Sequence, residues 1–136
     1  MSKHETRSGG KRQFPNNPSC PVRDVLTPLT SKWSMLVLFA LMEGPERFSS
    51  LKRRIEGISQ RMLTVTVRQL QREGYILRIA YPEVPPRVEY QLTSLGDEVV
   101  KPLCNLILWS EKRHEDIRSA RTVFDSQEVA PIKKGF

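Results

Sequence analysis

Between Pro21 and Ile117 the apolar residues recur first at helical spacing, then in two β-type runs, then at helical spacing again. Pro21 opens a short helix, because its missing N–H would be unpaired in a first turn anyway, and Val22, Val25, Leu26 and Leu29 give that helix one apolar face. Ser31 is positioned to cap a second helix, Lys32 to Glu43, with Trp33, Leu36, Val37, Ala40 and Leu41 inward and Gly44-Pro45 as its stop. Phe48 follows as a buried anchor, and Ser49 is expected to cap a two-turn helix, Ser50 to Ile55, with Leu51 and Ile55 facing inward. Gly57 makes a turn. Ser59 then caps a helix from Gln60 to Glu73, closed by Gly74 in the usual C-terminal position.

Tyr75 to Tyr81 and Arg87 to Leu92 are rich in Ile, Tyr and Val, and predict two strands. Pro82-Glu83-Val84-Pro85-Pro86 between them cannot be strand, since proline donates no ladder bond, so the pair reads as a hairpin with a rigid tip. Thr93 caps a long final helix with Val99, Leu103, Leu106, Ser110, Arg113 and Ile117 along one stripe, weakened by Gly96 and bent at Pro102. The order helix, helix, turn, helix, hairpin predicts a mainly α chain with a small β-hairpin, an α+β winged helix-turn-helix. Residues 1–19 read as a flexible basic arm, 20–121 as the domain and 122–136 as a weakly patterned tail.

Composition narrows the chemistry. The chain has 136 residues and a formal net charge of +7, a balance that favours anionic partners through the summed surface field. No apolar run reaches the ~18 residues needed to span a bilayer, and the polar basic start has no apolar segment of a secretory signal, so a cytoplasmic protein without membrane association is expected. The two cysteines, Cys20 and Cys104, are too far apart for a zinc knuckle and too few for a disulfide framework, so reduced thiols and no metal are expected. His4 and His114 have no nucleophile at a useful spacing, and neither a phosphate-binding loop nor a dinucleotide fingerprint occurs. Neither catalysis nor a cofactor is expected.

In a helix-turn-helix the second helix enters the major groove, where each base pair displays its own pattern of donors and acceptors. Here that helix buries Leu63, Val67 and Leu70 and offers Gln60, Arg61 and Thr64 near its start, with Arg68, Gln71 and Arg72 further along. The preceding Lys52-Arg53-Arg54 cluster and the wing arginines Arg78 and Arg87 add two more basic surfaces, together a footprint for a phosphate backbone. The candidate DNA contacts are Ser49, Lys52, Arg53, Ser59, Gln60, Arg61, Thr64, Arg68, Arg78 and Arg87. For Arg87 a salt bridge to Glu83 or Glu89 competes on equal terms.

The chain resembles the HxlR-type family of bacterial winged-helix regulators, relatives of the MarR proteins. The resemblance is carried by Cys20-Pro21-Val22, Lys32-Trp33, Gly44-Pro45 with Arg47-Phe48-Ser49, Gly57-Ile58-Ser59, Met62-Leu63-Thr64 and Glu73-Gly74. It is strongest in Tyr81-Pro82-Glu83-Val84-Pro85-Pro86-Arg87-Val88-Glu89-Tyr90 with Leu92-Thr93 and Leu95-Gly96, and Pro102 and Trp109 fit the final helix. It implies a regulator that binds duplex DNA at a pseudo-palindromic operator as a homodimer built from the terminal helices. Val22, Leu26, Leu106, Trp109, Ser110, Arg113 and Ile117 are the candidate seam. Members of the family commonly carry a polar residue and an arginine where Val65 and Thr66 stand here, so base contacts do not carry over to those two. Cys20 matches a cysteine that in several relatives senses oxidants or electrophiles, which makes it the candidate thiol sensor and a small molecule or oxidant a candidate effector. Cys104 does not stand where the usual partner lies. The alternative to DNA binding is a winged-helix scaffold that binds another protein and ignores nucleic acid.

Overall fold

The computed structural model describes residues 10–129, without the side chain of Val129. Five helices and a three-stranded sheet follow in the order α1 (Pro21–Leu29), α2 (Lys32–Leu41), β1 (Glu46–Arg47), α3 (Phe48–Arg54), α4 (Gln60–Arg72), β2 (Ile76–Tyr81), β3 (Arg87–Leu92) and α5 (Ser94–Val129). The fold is a winged helix-turn-helix, mainly α with one small antiparallel sheet.

Helix α2 is the hub. Its sequence is apolar nearly all round, as a helix enclosed by others must be, and Ser34, Val37, Leu38, Ala40 and Leu41 are buried. Leu38 is fully buried, whereas Leu36, expected inward, is exposed. Ser31 caps α2 as its position predicts, accepting from the Ser34 N–H at 3.2 Å. Around α2 pack Leu29, Leu51, Ile55, Ile58, Leu63, Val67, Leu70, Tyr75, Ile76, Tyr90, Val100 and Leu103, a single core into which every element except the two-residue β1 contributes. No buried side-chain nitrogen or oxygen among the described residues lacks a hydrogen-bond partner.

The sheet order is β1-β3-β2, with both pairings antiparallel. Strands β2 and β3 form the expected hairpin, Ile76 opposite Leu92 and Tyr81 opposite Arg87. The third strand was not anticipated: Glu46 pairs with Tyr90 and Arg47 with Glu89. Helix α3 also differs from expectation. It begins at Phe48 with Arg47 in the cap position and no side-chain cap, so Ser49 lies within its first turn and caps nothing.

The final helix runs 36 residues, about 54 Å at 1.5 Å per residue. It does not fray near Thr122, so residues 122–129 of the expected tail are helical; the remainder of the tail lies outside the described residues. Its inward stripe is also shifted. Gly96, Val100 and Leu103 are buried, while Val99 is half-buried and Leu106 exposed. Within the expected arm, Arg23 donates to the carbonyl of Pro15 at 2.7 Å, linking residues before α1 to that helix. The arm's residues 1–9 lie outside the described part of the chain.

Besides the core packing of Val100 and Leu103, a close approach at its root holds α5 against the rest. The Thr93 hydroxyl donates to the Gly74 carbonyl at 2.6 Å and accepts from the Gly96 N–H at 3.0 Å. The Thr93 N–H in turn donates to the Tyr75 carbonyl at 3.0 Å. A Cβ on Gly96 would lie 2.2 Å from that same Tyr75 oxygen. The end of α4, the start of β2 and the root of α5 therefore meet where there is room only for glycine.

Candidate nucleic-acid interface

The turn between α3 and α4 is fixed from both sides. Ile55 and Ile58 are buried, and Gly57 between them takes φ +90, a conformation that costs glycine little. Ser59 caps α4 as expected, its hydroxyl oxygen accepting from the Met62 N–H at 3.0 Å. Helix α4 then buries Leu63, Thr66, Val67 and Leu70. Thr66 donates its hydroxyl to the Met62 carbonyl at 2.7 Å and faces the core, which takes it out of any interface. On the opposite face Gln60, Arg61, Thr64, Val65, Arg68 and Arg72 are exposed. Arg61, Val65, Arg68 and Arg72 follow at spacings of four, three and four, one stripe down the outward side.

The cations divide into two groups. Arg54 is structural: it pairs with Glu43 at 3.1 Å and with Glu46, and donates to the Ala40 carbonyl at 3.2 Å. It thereby locks α3 to the end of α2 and to β1, and Glu46 also accepts from Ser50. Lys52, Arg53, Arg61, Arg68 and Arg78 are exposed and make no ion pair among the described residues. Arg47 belongs with them. It is exposed on β1 and lies near enough to Glu83 to help hold that carboxyl ionised. Sequence reasoning missed it, since only the unforeseen pairing of β1 with β3 brings it to the wing. Arg72 is exposed but lies 3.1 Å from Glu73.

The wing arginine Arg87 is not a free contact. Its guanidinium bonds Glu83 and Glu89, each at 2.7 Å, and stacks 3.7 Å from the centre of the Tyr81 ring. Those hydrogen bonds raise the Arg87 pKa further above its ordinary value. In return the Arg87 bond holds the Glu83 carboxyl below the usual carboxylate range, and Arg47 adds to this. The Arg87–Glu83 pair is therefore charged at neutral pH and is lost only in acid, as pH falls through the depressed range of Glu83. Arg87 closes the base of the proline tip, and the exposed cations at the wing are Arg78 on β2 and Arg47 on β1. Of the expected contacts, Ser49, Lys52, Arg53, Ser59, Gln60, Arg61, Thr64, Arg68 and Arg78 are exposed and Arg87 is half-buried in its clasp.

Exposed apolar residues also lie on α1 and on α5. Val25 and Leu26 on α1 are exposed, with only Leu29 of that helix buried. Leu106 and Trp109 on α5 are 49% and 53% exposed, and Ser110 and Arg113 lie beside them. Val22 and Ile117 are half-buried. Ser110 donates to the Ile107 carbonyl, and Arg113 pairs with Asp116 at 2.7 Å. Val123 and Phe124 carry exposed apolar surface further out on α5.

Cys20 departs from what an accessible sensor requires. It is 2% exposed at the start of α1, with Arg23 turned instead to the Pro15 carbonyl. Cys104 is half-buried, and both thiols are free. Among the described residues no cluster of His, Cys, Asp or Glu is suited to hold a metal ion, and no helix is long and apolar enough to cross a membrane.

The description of the HxlR-like helix-turn-helix family matches residues 28–118. The HTH-type transcriptional regulator YtfH of Escherichia coli strain K12 is 45% identical over 102 residues, covering 75% of this chain and 81% of that protein. Among solved structures, the transcriptional regulator ytfH from Salmonella typhimurium superposes with a TM-score of 0.72 at 40% identity, over 78% of this chain and 95% of that one. The redox regulator HypR in its reduced form gives 0.68 at 32% identity, over 73% and 98%.

Proposed function

This chain belongs to the HxlR-like helix-turn-helix family of transcriptional regulators, not to a family of enzymes, and from that premise we propose that it binds a pseudo-palindromic operator in duplex DNA as a homodimer in the cytoplasm. The observation that carries the reading is the division of its cations. Arg54 and Arg87 are consumed inside the fold, while Lys52, Arg53, Arg61, Arg68 and Arg78 on α3, α4 and β2 stand exposed without acidic partners among the described residues. Unpaired positive charge beside the exposed start of a capped helix suits phosphates, and Gln60, Arg61 and Arg68 on α4 suit base edges. The exposed apolar residues of α1 and α5 supply the seam for a second copy, so that two α4 helices meet two half-sites. The domain so used is residues 20–121 together with the rest of α5.

Selection of a bound sequence from random duplexes tests this, with the affinity then followed against salt. A palindrome is expected, and for six to ten phosphate contacts a loss of about 10³–10⁵ in affinity between 50 and 200 mM salt. A protein-binding scaffold would retain no duplex at any salt, and that outcome ends the DNA reading.

The similarity to HypR supports a further element, thiol control through Cys20. Because Cys20 is buried, an oxidant can reach it only when the segment leading into α1 opens, and that segment borders the proposed seam. Diamide is expected to weaken duplex binding by the wild type and not by Cys20→Ser. Equal weakening in both removes Cys20 as the sensor.

A further inference from the structure

The outward face of α4 carries one side chain that the cationic reading does not use. Val65 is 51% exposed at its middle, with Arg61 one turn before it and Arg68 one turn after. It lies opposite the buried stripe of Leu63, Val67 and Leu70. A β-branched side chain in a helix is held in essentially one rotamer, so the two methyls are presented at little entropic cost. Thr64 beside it has its hydroxyl donated to the Gln60 carbonyl at 2.9 Å, so the immediate neighbour of Val65 offers no free proton of its own.

If α4 is the helix that enters the major groove, the group at its centre is apolar, and the apolar feature of a base-pair edge in that groove is the thymine C5-methyl. We propose that Val65 is a specificity-determining residue that packs against the C5-methyl of one thymine in each half-site. The inference rests on the DNA reading above and adds to it the base that the centre of the helix selects. Arg61 and Arg68 hold phosphates or guanines on either side and so fix the depth at which Val65 meets the bases. Cytosine or a purine at that place would set a polar edge against two methyls and lose hydrogen bonds to water without replacement.

The test uses the full chain and the duplex that it selects from a random pool. Each thymine of that duplex is replaced in turn by deoxyuridine, which lacks only the C5-methyl, and Kd is measured for the wild type and Val65→Ala. At one thymine per half-site the wild type is expected to lose about three- to fivefold, the worth of one buried methyl. Val65→Ala should bind thymine and uracil alike there, and should select a relaxed base at that position. Since Val65 is exposed and alanine favours helix, the variant keeps the fold. Indifference of the wild type to deoxyuridine at every thymine overturns the proposal while leaving DNA binding intact, as does a loss that persists unchanged in Val65→Ala. Failure of the wild type to select any duplex overturns both.

Discussion

The double variant Leu106→Glu, Trp109→Glu is expected to be monomeric and to bind the selected operator on the order of 10³-fold more weakly, near the level of non-specific DNA. Both side chains are about half exposed, three residues apart on one side of α5, and neither belongs to the buried core. Their removal therefore costs the isolated chain little. Burying a Leu or Trp is worth roughly 1.5–3 kcal/mol or more, so a seam that contains two copies of each depends on them. Carboxylates in their place face their symmetry mates across the axis. Sedimentation equilibrium gives the oligomeric state, and thermal unfolding shows whether the monomer is still folded. A variant that sediments as a dimer and keeps its affinity would place the seam elsewhere.

Gly96→Ala is expected to carry the largest stability penalty of the glycine-to-alanine changes among the described residues. The new Cβ would lie 2.2 Å from the Tyr75 carbonyl oxygen, 3.2 Å from its carbon and 3.1 Å from a methyl of Leu92. The first two are backbone atoms and cannot turn aside as a side chain would. Either α5 lifts off β2, breaking the bonds that Thr93 makes to Gly74 and Tyr75, or the β2 entry shifts and disturbs Ile76, which is buried. Overpacking of this kind typically costs about 1–3 kcal/mol, and the backbone contact puts this case at the upper end. Helix propensity alone predicts the opposite sign, a gain of about 1 kcal/mol for alanine over glycine. Denaturant midpoints at constant m-value separate the two, and an unchanged or raised midpoint would contradict the packing argument.

What the chain encodes locally is legible in its sequence. Ser31 and Ser59 each stand before a helix whose periodicity begins one residue later, and each does cap it. The wing was legible because prolines mark its tip and two β-rich runs flank them, and β3 was placed to the residue. The misses are tertiary. Two residues carry no periodicity, so nothing in Glu46–Arg47 announces a strand until β3 supplies its partner. Lys52, Arg53 and Arg54 look equivalent in sequence, and only the approach of Glu43 and Glu46 turns the third into a scaffold residue. The sequence leaves Arg87 evenly balanced between groove and salt bridge, and the fold engages it with two carboxylates and the Tyr81 ring. The length of α5 was missed because an exposed helix beyond the core needs no apolar stripe to be helical, so its last turns resemble loop by composition.

The reach of α5 has a mechanical corollary. Any rotation of a helix about 54 Å long at its close fit around Gly96 is magnified along its length. A rocking of only about 5° at that fit sweeps its far end through roughly 5 Å, close to one helical turn. Run in reverse, a modest displacement imposed far out along the helix is delivered at that fit as a small rotation of the Gly74–Tyr75 junction where α4 ends. In the proposed dimer, the spacing of the two α4 helices then depends on how the far ends of α5 are held.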